Sequence, residues 1–389
     1  MKRFENIFRT IFVVTACLLL TTATKAQTQT VESMDSVEFG LITCSPHEEV
    51  YSLYGHSAIH YHDLRSGRHF VFNWGVFDFK KSGFVWRFMM GKTDYVLECT
   101  PYFNDYCNYY RKWGSQVVEQ ILDLTNEEKV RLSIALRKNL DNPVYRYNFF
   151  FDNCATRPRN IIEQSLTGRV SYAERPDDKR SFRQLIHEKT SHHPWSTFGN
   201  DLLLGLTADR TATQREQEFL PELLRLDFDR ATVERQGEVR PLVKERRELV
   251  KPGVQMVEKD FPLSPLFCFC LLLALSVAIL AYELRKGKTA VWWDVLLMLL
   301  TGLPGIIIVL MFFSEHPATS SNLQVLLLNP LPLLFIPSVI KRRKTRWFTI
   351  SMYLTVAFLI GGFWQDYAEG MYCLALCLLL RYWRHVYGK

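Results

Sequence analysis

Phe149-Phe150-Phe151-Asp152-Asn153-Cys154-Ala155-Thr156-Arg157-Pro158-Arg159 is the stretch on which the reading of this chain turns. Three aromatic residues approach a polar turn, and apolar Ile161 and Ile162 follow, so the segment reads as a buried approach, a turn and a helix start. Asp152 or Asn153 caps that helix, or Pro158 takes an early position in a helix that starts slightly later. A thiol at a helix N-terminus is held as thiolate by the dipole, and Arg157 or Arg159 adds to that. Cys154 is therefore a candidate nucleophile. The plainer reading is a small core residue, the usual role of a cysteine in apolar surroundings.

A thiol nucleophile needs a base to move its proton. His56, in Tyr54-Gly55-His56-Ser57-Ala58, opens a strand-like stretch at 57–62; a turn at 63–67 and a second strand at 69–74 complete a hairpin. A third polar group usually orients such a histidine. Asn73 and His69 share one face of the second strand by parity, and either reaches His56 if the hairpin pairs this way. Tyr54, Asp152, Asn153 and Arg157 are supporting candidates, and Trp74 is a candidate substrate contact. A histidine after Tyr-Gly is otherwise an ordinary turn or surface residue. His56, His60, His62 and His69 allow a metal cluster by position, but no carboxylate or cysteine completes a familiar ligand spacing. No metal or other cofactor is expected. Further on, residues 117–124 read as a strand, and Thr125 with Glu128 three residues later starts a helix that runs to about 140 and ends at Asn142-Pro143. Residues 171–261 are more polar, with helical runs near 181–190 and 214–225.

The two ends set the compartment. Lys2, Arg3 and Arg9 precede an apolar run at 11–20, and Thr24 and Ala26 stand at the minus-three and minus-one places of a cleavage site, so residues 1–26 read as a signal peptide. A lipoprotein site at Cys17 and an uncleaved anchor are the alternatives. Residues 27–262 form the exported domain. Of nine cysteines, Cys44, Cys99, Cys107 and Cys154 fall in it, and Cys99 and Cys107 are near enough in sequence to pair. Residues 263–389 carry apolar runs at 264–282, 291–313, 323–340, 347–364 and 369–383, each near the length of a spanning helix. The third is the weakest, because Pro330, Pro332 and Pro337 break it.

The net charge of +7 is concentrated in short loops such as Lys341-Arg342-Arg343-Lys344, not in a stripe across the exported domain. That pattern reflects membrane topology and argues against nucleic acid as a partner. The positive-inside rule puts the N-terminal domain and the loops at 314–322 and 365–370 outside, with the C-terminus in the cytoplasm. His316 and Asn322 then face the compartment of Cys154, as ligands for a headgroup or amine or as solvated loop residues, and Asn329, slightly deeper and also a candidate substrate contact, is better placed for a buried role. The aromatic run at 84–90 either dips into the bilayer surface or packs inside the protein.

The order of histidine then cysteine, one opening a hairpin and the other a helix, resembles the circularly permuted branch of the NlpC-type papain-like fold. That branch includes the lecithin–retinol acyltransferase-like enzymes. More closely, Leu41-Ile42-Thr43-Cys44-Ser45-Pro46, Tyr51 to Ile59, Phe72-Asn73-Trp74-Gly75-Val76-Phe77-Asp78-Phe79, Gly91-Lys92-Thr93-Asp94-Tyr95 and Asn148 to Arg159 resemble the Lnb-type family of bacterial lipoprotein N-acyltransferases. Glu315-His316-Pro317 and Asn329-Pro330-Leu331 fit the same pattern; Trp74 departs from it, where tyrosine is usual. The resemblance implies an α+β thiol domain followed by about five transmembrane helices in the bacterial inner membrane. It implies transfer of an acyl chain from a phospholipid donor onto Cys154, with His56 as base and acid and Asn73 orienting it, and then to the amine of a diacylglyceryl-cysteine lipoprotein. Two other readings compete: a membrane-tethered cysteine hydrolase of peptidoglycan, and a non-enzymatic assembly protein in which Cys154 is structural.

Overall fold

The computed structural model describes residues 34–78, 80, 82–254, 261–343 and 345–387. The expected signal sequence lies outside the described residues. The N-terminal part is a mixed α/β domain built on a seven-stranded antiparallel sheet, in the order β10-β5-β1-β2-β3-β4-β6. Its strands are β1 (Val37–Cys44), β2 (His56–Asp63), β3 (Arg68–Val76), β4 (Asp94–Thr100), β5 (Val117–Leu122), β6 (Val144–Arg146) and β10 (Val243–Val250). A second sheet of three strands joins β7 (Arg169–Ser171), β8 (Thr232–Arg235) and β9 (Glu238–Pro241).

Alternation of side chains along the central strands gives the main sheet two apolar faces. Leu41, Ile59, Phe72 and Trp74 face Leu132 and Leu136 of one helix, Ile162 of another, and Leu224 and Phe228 of a third. Ile42, Ala58 and Val71 face Cys107 and Tyr110 on the other side. The helices are α1 (Phe84–Met89), α2 (Phe103–Lys112), α3 (Asn126–Asp141), α4 (Thr156–Ser165), α5 (Phe182–Thr190), α6 (Pro194–Leu203), α7 (Gln214–Gln217) and α8 (Pro221–Phe228). Thr125 and Glu128 form the reciprocal cap of α3, as the sequence pattern predicts. The run expected at 214–225 is divided, because Pro221 starts a new helix. Strands β8 to β10 have no counterpart in the sequence reading. β10 is an edge strand with mostly exposed charged residues, so it lacks the apolar alternation that reveals a strand. Cys99 and Cys107 are both free thiols, against the expected pairing.

The C-terminal part is helical: α9 (Pro265–Lys286), α10 (Val291–Met311), α11 (Leu331–Ile340), α12 (Trp347–Gly361) and α13 (Met371–Val386). Among the described residues three segments are long and apolar enough to cross a membrane: α9, α10 and the stretch Leu323–Ile340. That third stretch is broken as its prolines predict, with a short 3-10 turn at Leu323–Leu326 before α11. At 1.5 Å per residue, the 15 residues of α12 reach roughly 22 Å, short of a ~30 Å hydrocarbon core. α13 buries Arg381, which pairs with Glu283 of α9 at 2.7 Å and Asp294 of α10 at 2.7 Å. A charge at that depth needs such partners.

The two parts are locked together by buried amides. Asn322 donates to the Leu202 carbonyl at 2.7 Å, Gln324 to the Asp201 carbonyl at 2.7 Å, and Gln365 to the Leu204 carbonyl at 3.2 Å and to Asn322 Oδ1 at 2.9 Å. These bonds satisfy the carbonyls at the C-terminal end of α6, which α6 itself leaves unpaired.

Candidate active site

β2 begins at His56, and β3 runs past it in a regular ladder that pairs Ile59 with Phe72 and His62 with His69. Near the end of β3 a bulge against β4 interrupts the register between Trp74 and Val76. Gly75 sits there at a φ of 98°, which only glycine adopts without strain. A Cβ built on Gly75 would lie 3.6 Å from Cys154 Cβ, 3.8 Å from Tyr147 Cε2 and 4.0 Å from His56 Cε1. The three side chains thus converge on this one glycine.

Cys154 is delivered by the turn before α4. Ala155, not Asp152 or Asn153, takes the N-cap place of α4, and Asn153 two residues earlier closes the turn: its Oδ1 accepts from the amides of Ala155 and Thr156, both at 2.9 Å. The Asn153 amide group also donates to the carbonyls of Phe149 and Phe219, which anchors the turn. The first amides of the helix are therefore satisfied, and Cys154 precedes them with its sulfur free for chemistry.

His56 Nε2–H donates to Asn73 Oδ1, which leaves Nδ1 for the sulfur. Burial alone would push the Cys154 thiol up; the charge of His56, its hydrogen bond, and the amides of Ser57 and Cys154 itself outweigh that and hold it below its ordinary value. Burial likewise favours neutral His56, and the Cys154 charge with hydrogen bonds to Cys154 and Asn73 outweighs it, so His56 is held above its ordinary value. The two shifts have one cause, a thiol and an imidazole close enough for each to favour the other's charged form. Tyr147 faces the same sulfur; burial first, and then the Cys154 charge, hold its phenol well above the ordinary range. Tyr95 stacks on Tyr147 at 4.2 Å.

Several expected participants have other roles. His69 does not reach His56: its Nδ1 lies 2.9 Å from His60 Nε2, and its ring stacks on His62 and Phe103. His60 Nδ1 in turn meets Glu119 at 2.5 Å. No group of three or more metal-ligating side chains gathers among the described residues. Arg157 forms a two-pronged pair with Asp152 at 2.6 and 2.7 Å and lies 3.6 Å over the Tyr145 ring. Arg159 pairs with buried Glu218 at 2.7 Å. Neither guanidinium is directed at the sulfur, so the expected arginine support is replaced by His56. Asp152 serves to hold Arg157. Trp74 is fully buried in the core, on the opposite strand face from Asn73, and cannot contact substrate. Tyr54 packs edge-on against Phe149 at 4.8 Å and its hydroxyl accepts from Asn200 at 3.0 Å, so it supports the Cys154 turn from behind.

The three polar residues of the membrane part are also engaged. His316 donates to the Phe88 carbonyl at 2.8 Å. Asn322 belongs to the buried amide lock. Asn329 bonds to its own turn, donating to the Val325 carbonyl at 3.2 Å, where Gly305 permits close backbone approach. His316 and Asn322 are thus not free ligands in a solvated loop, and Asn329 is buried, in keeping with its deeper place in the sequence. Tyr147 is the site residue that sequence reasoning missed; it stands between β6 and the aromatic approach to Cys154, outside every motif.

Residues 23–187 match a family described as the Lnb N-terminal periplasmic domain, and residues 256–389 match the Lnb transmembrane domain. No curated protein and no solved structure matches the chain.

Proposed function

The chain belongs to the Lnb-type family, and from that premise we propose that it is a lipoprotein N-acyltransferase working through a Cys154 thioester. The observation that carries this reading is the paired thiol and imidazole, oriented by Asn73, in a domain fastened to membrane helices. In the first half-reaction the Cys154 thiolate bonds to the acyl carbonyl carbon of a phospholipid, the ester C–O bond breaks, and His56 gives its proton to the departing alcohol. In the second, the amine of a diacylglyceryl-cysteine attacks the thioester, His56 takes the amine proton, and the thiolate is released. The amides of Ser57 and Cys154 and the Tyr147 hydroxyl, which bond the sulfur, are the donors at hand for an oxyanion formed beside it.

We read the thiol domain as the permuted NlpC-type fold, cleaved from a signal peptide after Ala26 and lying on the periplasmic face of the inner membrane. The five C-terminal helices are read as five spans, with α12 short and α13 held by the Arg381 cluster, and the C-terminus in the cytoplasm. Both substrates are lipids of that outer leaflet. Holding the thiol beside it replaces a diffusive search by a high local concentration.

The test is mass spectrometry of lipoprotein N-termini in cells that lack their own N-acylating enzyme and express this chain, beside a Cys154→Ala control. A third acyl chain that depends on Cys154 supports the reading. Free amines in both, with the protein present and folded, refute it. Release of wall peptides would instead identify the hydrolase, and retained function without Cys154 a non-enzymatic role.

A further inference from the structure

An unbroken row of rings leads away from the thiol. Tyr147 lies against Cys154 and stacks on Tyr95; Tyr95 meets Phe77 at 5.0 Å, Phe77 meets Phe84 at 5.8 Å, and Phe84 meets Phe88 at 6.0 Å. Exposure rises along it, from buried Tyr95 through half-buried Phe77 and Phe84 to Phe88, which is 48% exposed. The outer end is α1, where Val85 and Trp86 are 70% and 54% exposed. Three large apolar side chains together on one short surface helix mark an interaction surface.

A second, independent set of contacts locates that end. Ser314 follows the last residue of spanning helix α10 by three positions, at most ~11 Å of extended chain. Ser314 Oγ donates to the Met89 carbonyl at 2.7 Å, the Glu315 amide to the Met90 carbonyl at 3.0 Å, and His316 to the Phe88 carbonyl. Gly91 lets this loop come close: a Cβ there would lie 2.9 Å from the His316 amide nitrogen. Arg146 bridges Asp94 and Glu315, and Arg87 also pairs with Asp94, which braces α1 against the same loop. α1 is therefore held against the end of α10, one of the segments long and apolar enough to cross a membrane.

We propose that the row Tyr147–Tyr95–Phe77–Phe84–Phe88 is the binding path for the donor's fatty acyl chain, joining the bilayer surface at α1 to the thiol at Cys154. The inference rests on the acyl-transfer reading and adds its acyl subsite. Apart from the tyrosine hydroxyls the row offers no hydrogen-bonding group, so it suits a straight hydrocarbon and discriminates by length rather than by polar contacts. α1 dips into the headgroup region, and a chain leaving the bilayer passes over Phe88 and Phe84 before reaching Phe77 and Tyr95.

The test uses the full-length protein in mild detergent with two soluble acyl donors, p-nitrophenyl acetate and p-nitrophenyl octanoate. In each, the sulfur bonds the acyl carbon, the ester C–O bond breaks and p-nitrophenolate leaves. The readout is the ratio of octanoate to acetate rates for Cys154 acylation, followed by peptide mass; within one preparation that ratio cancels any loss of folded protein. The native chain is expected to favour octanoate at least tenfold. Phe77→Asp and Phe84→Asp, which place a charge in the row, are expected to lower the ratio at least tenfold. Phe84 is partly exposed on a surface helix, so its variant carries the test if Phe77→Asp does not fold. A ratio unchanged in the variants overturns the row and leaves acyl transfer standing. No acylation by either ester, with Cys154 still alkylated by iodoacetamide, removes the acyl-transfer reading and the row together.

Discussion

Replacing His56 with alanine should raise the Cys154 thiol pKa enough to disarm it at neutral pH, and the protein contains its own reference for how far. Cys44 is also enclosed, beside tyrosine hydroxyls instead of an imidazole, and burial pushes it up to about 12. Cys154 is held below the ordinary thiol value of 9.0. The gap exceeds about three pKa units, or ~4 kcal/mol. A helix N-terminus supplies roughly 0.3–1 kcal/mol, less than one unit. Arg157 and Arg159 are occupied by Asp152 and Glu218. His56 is the largest remaining source of the difference, ahead of the Ser57 and Cys154 amides.

At pH 8 the thiolate fraction is about one-tenth for a pKa of 9 and about 10⁻⁴ for a pKa of 12. The more basic thiolate is a better nucleophile by about twentyfold at a Brønsted slope of 0.4–0.5, which offsets part of that loss. His56→Ala should therefore slow disulfide exchange at Cys154 by about fortyfold at pH 8, with the deficit closing as pH rises. The assay is exchange with uncharged dithiodipyridine across pH 6–11, with Cys154 followed by peptide mass. The native thiolate persists above its depressed pKa and is lost only below it, so the native profile should bend under pH 9 and the variant's well above. Superimposable profiles would refute the electrostatic assignment. So would Arg157→Ala, if it moved the midpoint as far as His56→Ala does; the structure predicts that it will not.

Asn73→Ala removes the acceptor of His56 Nε2–H; a hydrogen bond to a charged group is worth about 1.5–3 kcal/mol, so the N-acylation rate should fall by about ten- to a hundredfold. Gly75→Ala forces a side chain into a φ of 98° at the meeting point of Cys154, Tyr147 and His56, so it should cost about 1–3 kcal/mol in thermal unfolding and slow Cys154 exchange as well. Arg381→Ala strands the buried Glu283 carboxylate from its cation and leaves Asp294 with His385 alone, and should cost about 3–5 kcal/mol, seen as a lower unfolding temperature in detergent; adding Glu283→Gln should recover part of it.

How much of this site was legible follows from where each residue gets its position. His56 and Asn73 owe theirs to a hairpin whose turn and alternation are written locally. The same ladder could have separated Asn73 from His69. With the turn at 63–67, the observed pairing of Asp63 with Arg68 carries on to set His62 opposite His69, six residues along the strand from His56. Parity alone also assigns Trp74 to the face opposite Asn73, so its removal from the site was available in the sequence and was overlooked. Arg157 is a different case. Its charge was legible, but the five-residue spacing to Asp152 becomes a contact only once the turn before α4 closes. Tyr147 follows β6 on an irregular stretch with no periodicity to place it, and only the fold brings it to the sulfur. His316 and Asn322 find their partners 228 and 120 positions away, in a domain whose docking leaves no local trace. That docking is what gives the site its reach. The loop carrying His316 fixes α1 to the end of α10, so a thiol built from local signals is tied to the helical part only through contacts that no local pattern encodes.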